Sequence, residues 1–383
     1  LSAQQIPVVV LAGFLGSGKT TLLNHLLRTA RGTRVGVMVN DFGSIEIDAM
    51  TVAGQVGSTV SLGNGCLCCA VDASELDTYL EALTRPSARL DVIVIEASGL
   101  AEPQELVRMV LASDNERVVY GGLVEVVDAA EFDATRVRHP ETDRHLALAD
   151  LVVVNKADRV PEDELRRVRD AVTGLAGRAA VITAAYGRVD PELLFDRAAR
   201  VEDAAGARQL SFEDLYADAY ERDHRDHPHA AYETVSFTAG EPLHPRRLMD
   251  FLDSRPEGLY RIKGFVDFGA ADPDNRYAVH AVGRFLRFYP EPWPPGGQRL
   301  TQLVLIGSGT DGEALLRALD GCRVAGPHDT PEDHALWGVL RYVPDPREGA
   351  GPVTGPGTPA YDTDLYDTDP YGTAAYDEAA DRA

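Results

Sequence analysis

The chain has 383 residues, 44% of them apolar, so it can bury a substantial core and is long enough for more than one domain. Its 37 Lys and Arg face 60 Asp and Glu, for a formal net charge of −23. That sign argues against nucleic acid, whose phosphates reward clustered basic residues, and suits cationic partners such as metal ions.

The first two hundred residues alternate strand and helix signals. A continuous apolar run over 6–12 predicts a parallel strand buried on both faces. Leu22, Leu23, Leu26 and Leu27 then share one side of a helix expected over 20–27. Further strands are expected over 34–40, 91–95, 118–127, 151–154 and 179–183, and helices over 74–83, 103–111, 161–172 and 191–199. This is the pattern of an α/β domain with a mostly parallel sheet and helices on both faces, assigned to residues 1–210.

Residues 211–230 are charged, end in histidines and read as a linker. Residues 231–344 carry strand-like pieces at 232–238, 277–289 and 300–306 with helices at 245–254 and 312–319. That looser interleaving predicts a smaller α+β domain. Residues 345–383 are Pro- and Gly-rich, then acidic, with Tyr361, Tyr366, Tyr371 and Tyr376 at every fifth position. Such a tail buries too little surface to offset its ordering entropy and is expected to be disordered. There is no sign of a signal peptide, and no apolar run long enough to span a membrane, so the expected location is the cytoplasm.

Gly13-Phe14-Leu15-Gly16-Ser17-Gly18-Lys19-Thr20 matches G-x-x-x-x-G-K-[ST] between a strand and a helix, the context that makes the pattern specific. Gly13, Gly16 and Gly18 permit tight turns that aim backbone N–H groups at phosphate oxygens, helped by the helix N-terminus. Lys19 is the expected partner of the β- and γ-phosphates and Thr20 of Mg²⁺. Ser17 and Thr21 are counted with them as nucleotide-binding. Asn155-Lys156-Ala157-Asp158 follows its own apolar strand. The Asp158 carboxylate can accept from guanine N1–H and the exocyclic amine, which adenine cannot offer. Asn155 is expected to brace the loop and Lys156 to lie against the base.

An apolar strand also ends at Glu96-Ala97-Ser98-Gly99. Glu96 is a candidate to hold Mg²⁺ or its water, and Gly99 N–H to meet the γ-phosphate. The alternative is that Glu96 merely favours the start of the 103–111 helix. The segment Asn40-Asp41-Phe42-Gly43-Ser44-Ile45-Glu46-Ile47-Asp48 is the expected switch. Lys19, Glu96 and Asp48 are the catalytic candidates, with Asp48 and Glu96 those for positioning the attacking water.

Four cysteines, three of them within positions 66–69, are no disulfide framework and suit reduced thiols. Cys66, Cys68 and Cys69 can bind Zn²⁺, with Co²⁺ or Fe²⁺ also open, and leave a fourth position to water, a distant side chain or a client. Buried inert thiols or a redox pair are the alternatives. Cys322 stands alone and is expected to serve packing. His224, His227 and His229 form either a second metal site or a solvated linker.

Together these pieces resemble the CobW-like metallochaperone GTPases, which include the zinc-regulated GTPase metalloprotein activators and the nitrile hydratase activators. The resemblance covers about residues 6–330. Its carriers are the 13–20 loop, Asn40-Asp41-Phe42-Gly43, Asn64-Gly65-Cys66-Leu67-Cys68-Cys69, Glu96-Ala97-Ser98-Gly99, Val127-Asp128-Ala129 and Asn155-Lys156-Ala157-Asp158. It implies a SIMIBI-class P-loop GTPase domain, a smaller C-terminal domain, low intrinsic turnover and GTP-gated delivery of a divalent metal to a client metalloprotein. A nucleotide-dependent homodimer is a further expectation. Asp41 and Ser44 stand where the family often carries Glu and a second acid, and Glu46 could substitute for the latter. The expected function is therefore a GTP-hydrolysing zinc chaperone. The alternative is a zinc store or sensor with weak or vestigial GTPase activity, and a third reading gives the cysteines a purely stabilising role.

Overall fold

Strands that are apolar on both faces need cover on both faces, and a parallel sheet between helices supplies it. The computed structural model describes residues 5–30, 33–39, 59–61, 73–86, 88–99, 101–195, 232–326, 328–332 and 334–344. The expected switch with Asp48, the cysteines 66, 68 and 69, the histidines 224, 227 and 229, and the acidic tail lie outside them.

Strands β1 (Ile6–Ala12), β2 (Val35–Val39), β3 (Thr59–Ser61), β4 (Val92–Glu96), β5 (Val118–Asp128), β6 (Leu151–Asn155) and β7 (Ala180–Thr183) form a seven-stranded sheet in the order β3-β2-β4-β1-β5-β6-β7. Every pairing in it is parallel. The crossovers carry α1 (Lys19–Thr29), α2 (Ala73–Leu83), α3 (Pro103–Leu111), α4 (Phe132–Arg138), α5 (Glu141–Leu148) and α6 (Glu162–Ala176), and α7 (Pro191–Leu194) follows β7. Leu22, Leu23, Leu26 and Leu27 of α1 pack on Val9, Leu11 and Val94 in one continuous core. From β1 the chain runs to β2 on one side, whereas from β4 it runs to β5 on the other side of β1. This reversal opens a crevice at the carboxyl end of β1, the position where doubly wound sheets bind ligands.

Three elements of this sheet carry little sequence signal. β3 has three residues, too few for a period. The short helices α4 and α5 bury only Phe132 and Thr135, and Thr142 and Leu146. Arg136 of α4 joins them by donating to both carboxylate oxygens of Asp143 at 2.6 and 2.7 Å.

Strands β8 (Glu233–Ala239), β9 (Leu259–Val266), β10 (Asn275–Val282), β11 (Phe285–Pro292) and β12 (Thr301–Gly307) form a second, antiparallel sheet ordered β11-β10-β9-β12-β8. Helices α8 (Pro245–Asp253), α9 (Gly312–Asp320) and α10 (Trp337–Leu340) share a core with one face, where Leu248, Leu315 and Val339 meet Ile262, Val279 and Phe288. The strand-like piece expected over 277–289 is a hairpin. Val282 pairs with Phe285 across a two-residue turn in which Gly283 has φ 53°, a twist that suits a tight hairpin. β9 was not expected because Arg261 and Lys263 interrupt its apolar pattern. Arg261 is nonetheless buried, since its Nη1 donates to Leu194 O at 3.1 Å. Cys322 lies in this second core with its thiol donating to Ala318 O, as packing requires. Tyr260 and Val282 extend into the core of the parallel sheet, and Ser308 Oγ donates to Val181 O at 2.8 Å.

Candidate functional site

The parallel sheet brings distant sequence motifs to its carboxyl end. Leu11 of β1 lies opposite Glu96 of β4, and Asp128 of β5 opposite Asn155 of β6. β4, β5 and β6 thus end in Glu96, Asp128 and Asn155 at the end of the sheet where the 13–18 loop crosses from β1 to α1. Gly13, Gly16 and Gly18 have φ of 139°, 80° and 104°. At Gly18 a Cβ would also stand 2.3 Å from Asn155 Nδ2, so only glycine fits. α1 starts there with no side-chain cap and no acidic residue in its first turn. The N–H groups of its first turn and its positive dipole end therefore face the crevice.

Lys19 is buried at 7% exposure, and its Nζ donates to Gly13 O at 2.8 Å and Phe14 O at 3.3 Å. Thr20 Oγ1 donates to Glu96 Oε1 at 2.6 Å. Glu96 therefore meets the phosphate loop. A cavity of about 280 Å³ opens between Gly16, Lys19, Thr20, Val39, Glu96 and Gly99, with Thr21 also at its wall. At Gly99 a Cβ would lie 2.7 Å from Leu15 N, so the β4 loop closes directly on the phosphate loop.

The donor set fits a nucleotide triphosphate with a hard cation. Ser17 Oγ is buried with no hydrogen bond among the described residues, and Lys19 supplies a cation beside it. Thr20 and Glu96 offer hydroxyl and carboxylate oxygens of the kind Mg²⁺ prefers. No group of three or more His, Cys, Asp or Glu among the described residues is placed to hold a metal.

On the far side of β1, Asn155 is 2% exposed and holds two loops. Its Nδ2 donates to Ser17 O at 2.9 Å, and its Oδ1 accepts from Gly187 N–H at 2.9 Å. Lys156 has a left-handed backbone with φ 60°. Its Nζ donates to Asp128 Oδ2 at 2.6 Å. Asp158 sits exposed in the 3-10 turn Ala157–Arg159.

Two acids here had no function assigned from the sequence, although Val127-Asp128-Ala129 carried the resemblance. Asp128 anchors Lys156; its signal was its place at the end of an apolar strand, like Glu96 and Asn155. Glu125 lies opposite Ala12, one residue before the phosphate loop, and is 2% exposed. Burial raises its carboxyl to about 8, and Lys19 pulls only partly the other way. Nothing in the sequence marked it, since a lone acid in a strand usually faces solvent.

Residues 7–183 match the family model described as the CobW/HypB/UreG nucleotide-binding domain, and residues 232–323 that of the cobalamin synthesis protein cobW C-terminal domain. A protein named zinc chaperone CobW from Sinorhizobium sp is 32% identical over 347 residues, which cover 82% of this chain and 96% of the relative. Zinc-regulated GTPase metalloprotein activator 1 of Schizosaccharomyces pombe is 33% identical over 196 residues, 48% of this chain and 47% of the relative. Among solved structures, Zn(II)-bound YjiA GTPase from E. coli is 22% identical with a TM-score of 0.40, over 84% of this chain and 99% of that one.

Proposed function

The chain belongs to the CobW family, and on that premise we propose that it is a cytoplasmic GTP-hydrolysing metallochaperone that carries zinc on Cys66, Cys68 and Cys69 and delivers it to a client metalloprotein. The observation that carries this reading is one row across the sheet edge. Glu96 of β4 lies opposite Val39 of β2, and Val39 opposite Ser61 of β3. Neighbouring strands are about 4.8 Å apart, so Ser61 is roughly 10 Å from Glu96. Cys66 follows five residues later, within about 18 Å of Ser61 even at full extension. The expected switch leaves from Val39, which lines the cavity itself. The segment that leads to Cys66 thereby starts from the same edge as the expected phosphate site.

In this reading the α1 N–H groups and Lys19 bind the phosphates, and Ser17 Oγ finds its partner there. Asp158 reads the guanine edge, on a loop that Asn155 ties to the phosphate loop. Thr20 and Glu96 would hold Mg²⁺, which would supply charge neutralisation at the phosphates. Glu96, or Asp48 of the switch segment, orients the attacking water. Zinc is the cargo, and the soft thiolates select it over Mg²⁺.

Coupling between cargo and nucleotide is reciprocal by linkage, which makes the test direct. Zinc affinity of the full chain is measured by chelator competition with and without a non-hydrolysable GTP analogue, and analogue affinity with and without zinc. Both are expected to change by the same factor, about tenfold for a typical coupling energy. Replacing Cys66, Cys68 and Cys69 with Ser should abolish the effect while leaving nucleotide binding intact. Thr20→Ala should lower turnover about 100-fold, in keeping with the several kcal/mol a metal contributes, and leave zinc binding unchanged. Independent affinities would defeat the delivery mechanism and leave a zinc store.

A further inference from the structure

Among the described residues, three that are not glycine have positive φ: Arg89 at 48°, Lys156 at 60° and Tyr186 at 56°. The left-handed region crowds Cβ against the following carbonyl, so a large side chain stays there only where its surroundings enforce it. Lys156 and Tyr186 occupy the loops that follow the adjacent strands β6 and β7. The two loops are joined, because Ala157 N–H donates to Ala184 O at 3.1 Å and Gly187 N–H to Asn155 Oδ1 at 2.9 Å. Gly187 is wedged against the first turn of α1, where a Cβ would lie 2.7 Å from Leu22 N.

The turn thus holds Tyr186 between the start of α1 and the loop of Asp158, on strained backbone. Yet the ring is 63% exposed and contributes nothing to either core. The Arg188 guanidinium lies over the ring, 5.7 Å from its centroid. A rigid aromatic face beside the expected base edge and the phosphate loop matches a purine ring.

We infer that Tyr186 is a wall of the base pocket, stacking one face on the purine of the bound nucleotide while the Arg188 guanidinium lies over the other. This rests on the guanine-nucleotide reading above and adds a contact to it. Asp158 selects the base by its edge, whereas stacking adds affinity without regard to the edge, since every base has a π-face.

The test measures GDP and inorganic tripolyphosphate affinities by calorimetry on the full chain, as wild type, Tyr186→Phe, Tyr186→Ala and Tyr186→Gly. The Phe variant should stay within about twofold of wild type, while the Ala and Gly variants should bind GDP about tenfold more weakly, the loss of one stacking contact. Tripolyphosphate, which has no base, should bind all four equally. Tyr186→Gly relieves the backbone, so its melting temperature should be no lower than wild type while its GDP affinity falls. GDP affinity within twofold of wild type in the Ala and Gly variants, or an equal loss for tripolyphosphate, would overturn the inference. A wild-type chain that binds tripolyphosphate but no GDP would overturn the guanine reading and this inference together.

Discussion

Glu125 permits a sharp test of how the phosphate loop is built. Its carboxyl titrates at about 8 in the fold against a reference of 4.5, because burial disfavours the anion more than Lys19 favours it. Oε2 makes no hydrogen bond among the described residues. Between these two values the unfolded chain releases the proton as pH rises and the folded chain keeps it. The unfolded state then binds fewer protons, so stability falls as pH rises, and the contribution is fully present only below 4.5. At pH 7 the carboxyl costs on the order of 3 kcal/mol relative to acid conditions, taking about 1.4 kcal/mol per pH unit. From pH 7 to 8 the further fall is about 1 kcal/mol, since half the folded molecules have ionised by then. Asp150, raised to about 6, and the lowered His25, His145 and His244 titrate below this interval. Glu125→Gln keeps the shape and removes the titration. Urea unfolding of the metal-free full chain at pH 6.5, 7, 7.5 and 8 should show the variant more stable at neutral pH, with no such decline above pH 7. A variant whose profile runs parallel to wild type would refute the reasoning.

Asn155→Ala leaves Ser17 O and Gly187 N–H without their side-chain partner in a buried site; a loss of about 2–6 kcal/mol is expected, at about 1–3 for each group, read as a lower denaturation midpoint. Asp158→Asn replaces an acceptor with a group that can also donate, so binding should shift from guanine towards xanthine nucleotides, measured by competition against GDP; unchanged guanine preference would remove Asp158 from base selection. Burial pushes the Cys322 thiol up to about 11, and the side chain is 3% exposed. Iodoacetamide at pH 7.5 should therefore leave it unmodified in the native chain and label it in urea, as peptide mass spectrometry would show.

The order of strands and helices in the first two hundred residues was legible because apolar runs bounded by glycine and polar residues are local signals. The 13–20 loop, Glu96 and the 155–158 segment were legible for the same reason, since each follows its own apolar strand. The short β3, α4 and α5 were not, because tertiary contacts rather than periodicity hold them. The hairpin at Gly283 was read as one piece because a two-residue turn hardly interrupts a strand pattern.

Composition, periodicity and motif spacing by themselves determined an α/β nucleotide-binding domain followed by an α+β domain, and identified most of the polar groups at the crevice. Only the tertiary structure decided which of these groups meet. Thr20 and Glu96 are 76 residues apart and touch because β1 and β4 pair in one register. Tyr186 stands beside the start of α1 and the loop after β6 because Asn155 and a glycine without a side chain hold it there. The acid at 125 became a buried, proton-retaining group because β5 lies between β1 and β6. Such contacts join residues far apart along the chain, and strand register and burial, which the packing of the whole sheet sets, choose among them.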